Sequence, residues 1–268
     1  MERTHWEELP AETRGAIERL AGPITTAATV EEGMNSQIAL VALSGFGRIF
    51  IKGIRSDDPR ARMQRMEAMI NPFVRHISPR LLWQTTAGGW ELLGFEYAGG
   101  EHADYGPGSA DLPLVIEVME ELQGMRCPGL PLKTAEQRWA GYVGSSAELE
   151  HFRGETLLHT DYNPCNVLVG ARATLIDWAW PTRGAAWIDP ACWVLRLVAQ
   201  GQTPAEAESW AGRVGSWREA SAEGIDAFAR ASVRLWDEIA AADPQPWKTG
   251  MALAAREWCS YRGSGPPA

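Results

Sequence analysis

Leu158-His159-Thr160-Asp161-Tyr162-Asn163-Pro164-Cys165-Asn166-Val167-Leu168-Val169, followed by Ile176-Asp177-Trp178, decides the reading of this chain. The stretch has the form H-x-D-x-x-x-x-N. An apolar hairpin then runs from Asn166-Val167-Leu168-Val169 through a turn at Gly170-Ala171-Arg172-Ala173 to Thr174-Leu175-Ile176-Asp177. A loop carrying Asp161 and Asn166 that enters a hairpin returning Asp177 beside Asn166 sets three oxygen-bearing side chains around one point. Phosphoryl transfer needs such a set. One carboxylate must meet the attacking hydroxyl, and oxygen ligands must hold magnesium against the nucleotide phosphates, because positioning and charge neutralisation drive the reaction. Loop polars of this kind also cap turns and end strands. Their combination with the hairpin and its terminal Asp favours chemistry over that plainer role.

Composition bounds what surrounds the stretch. With 268 residues, 45% of them hydrophobic, the chain can bury one large core or two lobes sharing a cleft. Met1-Glu2-Arg3-Thr4-His5-Trp6-Glu7-Glu8 is charged and lacks the apolar core of a signal peptide, and no later run reaches transmembrane length. A cytoplasmic protein with no membrane partner is therefore expected. A formal net charge of −9 without any basic block argues against a nucleic-acid partner and makes a cationic small molecule electrostatically easier, although solubility alone accounts for such a charge. Cys127, Cys165, Cys192 and Cys259 stand apart without a C-x-x-C pair, so neither a zinc site nor a disulfide framework is signalled.

Upstream of the stretch the periodicity is first helical and then β. Pro10 to Leu20 reads as a short helix stopped by Gly22-Pro23. Ile24 to Val30, Gln37 to Leu43 and Arg48 to Ile54 read as a three-stranded antiparallel meander. Asp58-Pro59 supplies an N-cap and a Pro at the first helical position for a helix carrying Met63, Met66, Ile70 and Phe73 and ending near Pro72. Leu81 to Thr85 and Trp90 to Tyr97 complete a set of five strands. From Leu112 onward helices dominate, at Ala191 to Gln200, Pro204 to Gly215, Ile225 to Ala241 and Thr249 to Tyr261, with Gly263 to Ala268 a loose tail. Strands first and helices after predict an α+β protein of two lobes, residues 1–97 and 98–268, rather than a doubly wound sheet.

The H-x-D-x-x-x-x-N loop and the following I-D-W strand end resemble the aminoglycoside phosphotransferase group of the protein-kinase-like fold. The resemblance implies a nucleotide-binding lobe made of the five strands and one helix. It also implies Asp161 as catalytic base or hydroxyl-orienting carboxylate, and Asn166 and Asp177 as magnesium ligands. His159 matches the loop's family His, a packing residue rather than a general base. Asp189 matches an Asp that braces the catalytic loop, a role its position shares equally with an ordinary helix N-cap. Lys52, on the third strand, would neutralise the α and β phosphates of ATP or GTP, with Glu67 on the next helix fixing it; a solvated surface pair is the plainer alternative. Gly33-Met34-Asn35-Ser36 falls where the family covers the phosphates, so Asn35 and Ser36 are candidate nucleotide contacts, although an ordinary hairpin turn fits equally.

The chain departs from protein kinases in ways that bear on the acceptor. Trp178-Ala179 follows Asp177 where Phe-Gly stands in those enzymes, no Ala-Pro-Glu segment follows, and the interval to Asp189 leaves no room for an activation loop. A hydroxyl-bearing small molecule is the expected acceptor: an aminoglycoside or related antibiotic, or alternatively a sugar, amino alcohol or amino acid. A nucleotide-binding module without turnover is the rival of another class, and intact Lys52, Asp161, Asn166 and Asp177 speak against it.

Overall fold

Side-chain alternation along Gly47–Arg55 explains why the first part of the chain makes a sheet. Ile49, Ile51 and Gly53 point to one face and Phe50, Lys52 and Ile54 to the other. The computed structural model describes residues 3–31, 33 and 35–264. Helix α1 (Ala11–Ala21) precedes strands β1 (Thr26–Thr29), β2 (Ile38–Ser44) and β3 (Gly47–Arg55). Helix α2 (Ala61–Val74) then leads to β4 (Leu81–Ala87) and β5 (Trp90–Glu96). The five strands form one antiparallel sheet in the order β1-β2-β3-β5-β4, with β3 central.

Each face of this sheet has its own cover. Ile17 and Ala21 of α1 pack with Ile38, Leu40, Ile49, Ile51 and Leu92 on one face. On the other, Ala68 of α2 meets Leu93 and Phe95, with Phe50 and Leu81 beside them. Lys52, paired in register with Ala39 and Leu93, lies on the α2 face. Gly53 is required where it stands, since a Cβ there would come within 2.8 Å of both Ile38 Cδ1 and Leu92 Cδ2.

After β6 (Glu101–His102) come α3 (Leu112–Gln123), β7 (Lys133–Thr134), α4 (Ala135–Trp139), α5 (Ser146–Glu150) and β8 (Thr156–Leu158). The motif stretch supplies β9 (Val167–Val169) and β10 (Ala173–Leu175), then β11 (Thr182–Gly184) and α6 (Ile188–Ala199). Four helices follow: α7 (Pro204–Ala211), α8 (Gly215–Glu219), α9 (Ala222–Ala242) and α10 (Pro246–Ser264). The fold class is α+β, as expected. Strand β11 pairs with β7 in parallel and with β8 antiparallel. Three of the thirteen tryptophans enter an aromatic core, where Trp139, Phe152, Trp187 and Phe228 place neighbouring ring centroids 5.4 to 6.0 Å apart and Trp258 lies 6.3 Å from Phe228.

Two compact units divide the chain: residues 1–101 with 168–170 and 174–180, and residues 102–167 with 171–173 and 181–268. Among the described residues no helix is long and apolar enough to cross a membrane.

Three local expectations need correction. Helix α2 begins at Ala61 and not at Pro59, because Asp58 spends its carboxylate on the Arg60 amide (2.8 Å) and its carbonyl on the Ala61 amide (2.9 Å), closing a turn before the helix. The helix expected over Pro204 to Gly215 stops at Ala211, and a separate helix, α8, begins at Gly215. Turn bonds from Arg213 and Val214 back to Trp210 and Ala211 end α7, and Arg218 holds the Gly212 and Arg213 carbonyls at 3.0 and 2.8 Å. Helix α10 takes up Gly263 and Ser264, while the rest of the expected tail and Met34 lie outside the described residues.

Candidate functional site

Lys52 and Glu67 meet because their elements leave them nowhere else to go. Lys52 sits mid-strand on the covered face of β3. Glu67 shares the buried side of α2 with Gln64, Asn71 and Val74, at helical spacing. Both are nearly inaccessible, 7% and 5% exposed. Lys52 Nζ donates to Glu67 Oε2 at 2.7 Å and to Asp177 Oδ1 at 2.8 Å. Asn35 Nδ2 donates to the other Asp177 oxygen at 2.9 Å, and the Trp178 backbone amide donates to Glu67.

This triad of one cation and two carboxylates is a net-negative centre. Burial alone would lower the Lys52 pKa, but Asp177 and Glu67 outweigh it and hold the ammonium well above its usual range. Glu67 titrates above the usual carboxylate range because of burial, with Lys52 opposing and Asp177 adding to the rise. Removing Lys52 would leave the buried Glu67 and the partly exposed Asp177 without their shared cation, a destabilising change centred on Glu67.

Asp177 sits past the end of β10 with φ at 60°, a left-handed conformation that costs a non-glycine residue about 1 to 2 kcal/mol. Its neighbours hold it there. The Leu175 amide donates to the Ile77 carbonyl (2.8 Å), Ser78 Oγ donates to the Leu175 carbonyl (2.7 Å), and the Trp178 indole donates to Ser78 Oγ (2.6 Å). Arg3 bonds the carbonyls of Ser36 and Gly33, so the turn carrying Asn35 is fastened from the N-terminal segment. The buried Ser36 contributes its carbonyl to that fastening.

The second unit assembles the loop. Asp189, in the first turn of α6, makes no cap to its own helix; its carboxylate accepts the amides of His159 (3.0 Å) and Thr160 (2.9 Å). Those bonds sustain Thr160 at φ 63°. Burial pushes Asp189 up to about 7, against the lowering effect of the two amides, Tyr162 and Arg138. His159 Nδ1 accepts the Asp161 amide at 3.3 Å, and its ring stands edge-on to Tyr162 with centroids 5.7 Å apart. His159 therefore shapes the loop.

Asn163 caps the short 3-10 turn Pro164–Asn166 through the Cys165 amide at 3.0 Å. That turn aims Asn166 Nδ2 at the Asp161 carbonyl (3.2 Å) and at Asp161 Oδ2 (2.9 Å), which leaves the Asn166 amide oxygen for a cation. The remaining oxygen, Asp161 Oδ1, accepts Arg196 Nη2 at 2.9 Å. Arg196 was missed at the sequence level. Its signal was the spacing from Asp189, seven positions and hence two turns along one helix, which lines both residues up against the same loop. Lys52, Glu67, Asp177 and Asn35 thus come together in the first unit, and Asp161, Asn166, His159 and Asp189 in the second.

No known family's sequence profile matches the chain, and no curated protein does. Solved structures do resemble it. Choline kinase LicA from Streptococcus pneumoniae superposes with a TM-score of 0.62 at 12% identity, over 92% of this chain and 97% of that one. A choline/ethanolamine kinase family protein from Mesorhizobium loti gives 0.62 at 15% identity, over 95% and 93%. A thermostable mutant of aminoglycoside phosphotransferase APH(4)-Ia, in ternary complex with ADP and hygromycin B, gives 0.56 at 15% identity, over 96% and 99%. The chain has the protein-kinase-like fold of these small-molecule kinases.

Proposed function

We propose that the protein is a nucleotide-dependent O-phosphotransferase acting on a hydroxyl of a small molecule, with residues 1–97 forming the nucleotide-binding lobe and residues 98–268 carrying the catalytic residues and the acceptor site. The Lys52–Glu67–Asp177 triad carries this reading. A structural ion pair does not need a second carboxylate, whereas a lysine held charged beside a spare carboxylate suits a phosphate chain and its cation. The fold shared with choline kinases and an aminoglycoside phosphotransferase supports it.

In this reading Lys52 holds the α and β phosphates of ATP or GTP, with Glu67 fixing its position and Asn35 and Ser36 lying on the turn above. The donor set suits magnesium: Asp177 and the Asn166 amide oxygen are hard oxygen ligands, and magnesium binds through one or two protein oxygens plus phosphates. Bound there, the ion would neutralise charge on the phosphates. Asp161 orients the acceptor hydroxyl and takes its proton as the acceptor oxygen bonds to the γ phosphorus. The bond from that phosphorus to the β–γ bridging oxygen breaks, and the nucleoside diphosphate leaves. Asn166 and Arg196 keep the Asp161 carboxylate in its rotamer.

The fold supports both acceptor classes expected from sequence, being shared with choline kinases and with an aminoglycoside phosphotransferase. The acidic side chains of the C-terminal helices divide: Asp237 pairs with Arg256 at 2.6 Å, Asp226 with Arg262 at 2.5 Å and Glu238 accepts from the Tyr142 hydroxyl at 3.2 Å, whereas Glu219, Glu223 and Glu257 form no ion pair among the described residues. The test is consumption of ATP or GTP with magnesium against a panel of antibiotics and metabolites, with mass analysis of products. A chain that binds nucleotide but turns over none of them, with water included as acceptor, would be a binding module.

A further inference from the structure

Arg196 is more than a tether for Asp161. A guanidinium has five N–H donors. Among the described residues its one hydrogen bond is Nη2 to Asp161 Oδ1, and none of its nitrogens is buried without a partner, so the unused donors face open space beside that carboxylate. The side chain is 12% exposed, a setting in which a guanidinium grips an oxyanion far better than it does in water. Its plane is fixed against the half-buried Trp236 of α9, with Cζ 5.4 Å from the ring centroid, and Trp247 stands edge-on to Trp236 at 6.0 Å. Arg138, which donates to the Thr182 hydroxyl at 3.1 Å, adds a second buried guanidinium whose field reaches both Asp161 and Asp189.

We propose that Arg196 and Trp236 form an acceptor subsite for an anionic group, so that the acceptor is a ring-bearing hydroxyl compound with a carboxylate or phosphate near the hydroxyl. The subsite rests on Asp161 being the carboxylate that meets the acceptor hydroxyl. A cationic acceptor approaching Asp161 meets Arg196 and is repelled. An anionic one takes the free donors, lays its ring along Trp236 and brings its hydroxyl to Asp161.

Benzoate, benzyl alcohol and benzylamine share one frame and differ in charge. Titrated into the full chain by calorimetry, with ligand-observed NMR alongside, benzoate binds at least tenfold tighter than benzylamine, with benzyl alcohol between them. Arg196→Gln removes that preference and weakens benzoate at least tenfold. If this variant does not fold, Arg196→Lys, which keeps the charge and loses the fork, weakens benzoate at least threefold. Benzylamine binding as tightly as benzoate, no saturable benzoate binding, or benzoate affinity unchanged in the folded variant overturns the subsite. ATP and GTP binding with magnesium, measured on the same samples, separates the two readings. Benzoate binding through Arg196 without any nucleotide binding would remove the phosphotransferase and leave the anion subsite, and the converse would remove the subsite alone.

Discussion

Thr160 and Asp177 are the non-glycine residues with positive φ among those described, and both adjoin or belong to the candidate chemistry. A β-branched residue such as Thr160 is costly in this conformation, and the cost is borne because Asp189 takes its amide and that of His159. Asp161 is thereby presented with two donors on its carboxylate, Asn166 and Arg196. Replacing Asp161 with Ala is expected to leave nucleotide affinity near wild type and lower turnover by roughly a hundredfold or more, since orientation and proton acceptance act mainly in the transition state. Steady-state kinetics with less than a fivefold loss would remove the role. In the proposed metal role, Asn166→Ala removes an oxygen ligand and Asp177→Asn a carboxylate charge, so each is expected to raise the magnesium concentration for half-maximal rate; a magnesium titration unchanged in both would refute the assignment. The H-x-D-x-x-x-x-N spelling made Asp161 and Asn166 legible. Arg196 and Arg3 were not, because a guanidinium's partner is chosen by tertiary position and a long side chain can reach many places.

Asp189 also makes a statement about pH. Its folded pKa lies near 7, above the ordinary carboxylate value, so the folded chain binds this proton more tightly than the unfolded one. The stabilisation is complete below about pH 4 and is lost as pH rises through about 7, with a total on the order of a few kcal/mol. Melting midpoints of wild type and Asp189→Asn followed between those limits are expected to diverge, wild type losing ground as pH rises. Parallel curves would show that Asp189 is ionised throughout.

At the scale of elements, two placements organise the candidate residues, one within each unit. Helix α6 grips the loop at two points, through Asp189 at its start and Arg196 two turns on. Helix α2 lies over β3 so that Glu67 meets Lys52. If those elements act as one device, Lys52→Met should weaken nucleotide affinity or turnover by roughly tenfold or more, and Glu67→Gln should act through the same lysine. The double variant should then be little worse than Lys52→Met alone. A double-mutant cycle checks this, and full additivity would separate the two residues. These elements were legible because alternation and helical spacing survive in single residues: β3 shows apolar neighbours around Lys52, and α2 shows one acidic residue on its buried side. Their ends were not, because turns such as that closed by Asp58 and breaks such as Gly212 depend on which nearby group a side chain chooses. The short strands β7, β8 and β11 carry too few residues for any period to register.

The whole molecule is threaded rather than concatenated. The first unit takes residues 1–101 and then 168–170 and 174–180 from much later in the chain. A fragment of residues 1–101 therefore lacks Asp177, leaves Lys52 with Glu67 alone, and loses the Leu175 and Trp178 bonds to Ile77 and Ser78. It is expected to melt broadly and at lower temperature than the full chain, and addition of residues 168–180 through a flexible linker should sharpen the transition. A fragment as cooperative as the full chain would show those bonds to be dispensable. The same threading constrains how such a gene can be reshuffled. A crossover between two diverged copies anywhere from residue 101 to 167 would hand the offspring a lysine from one parent and the aspartate that grips it from the other, since the two stand 125 positions apart in the chain.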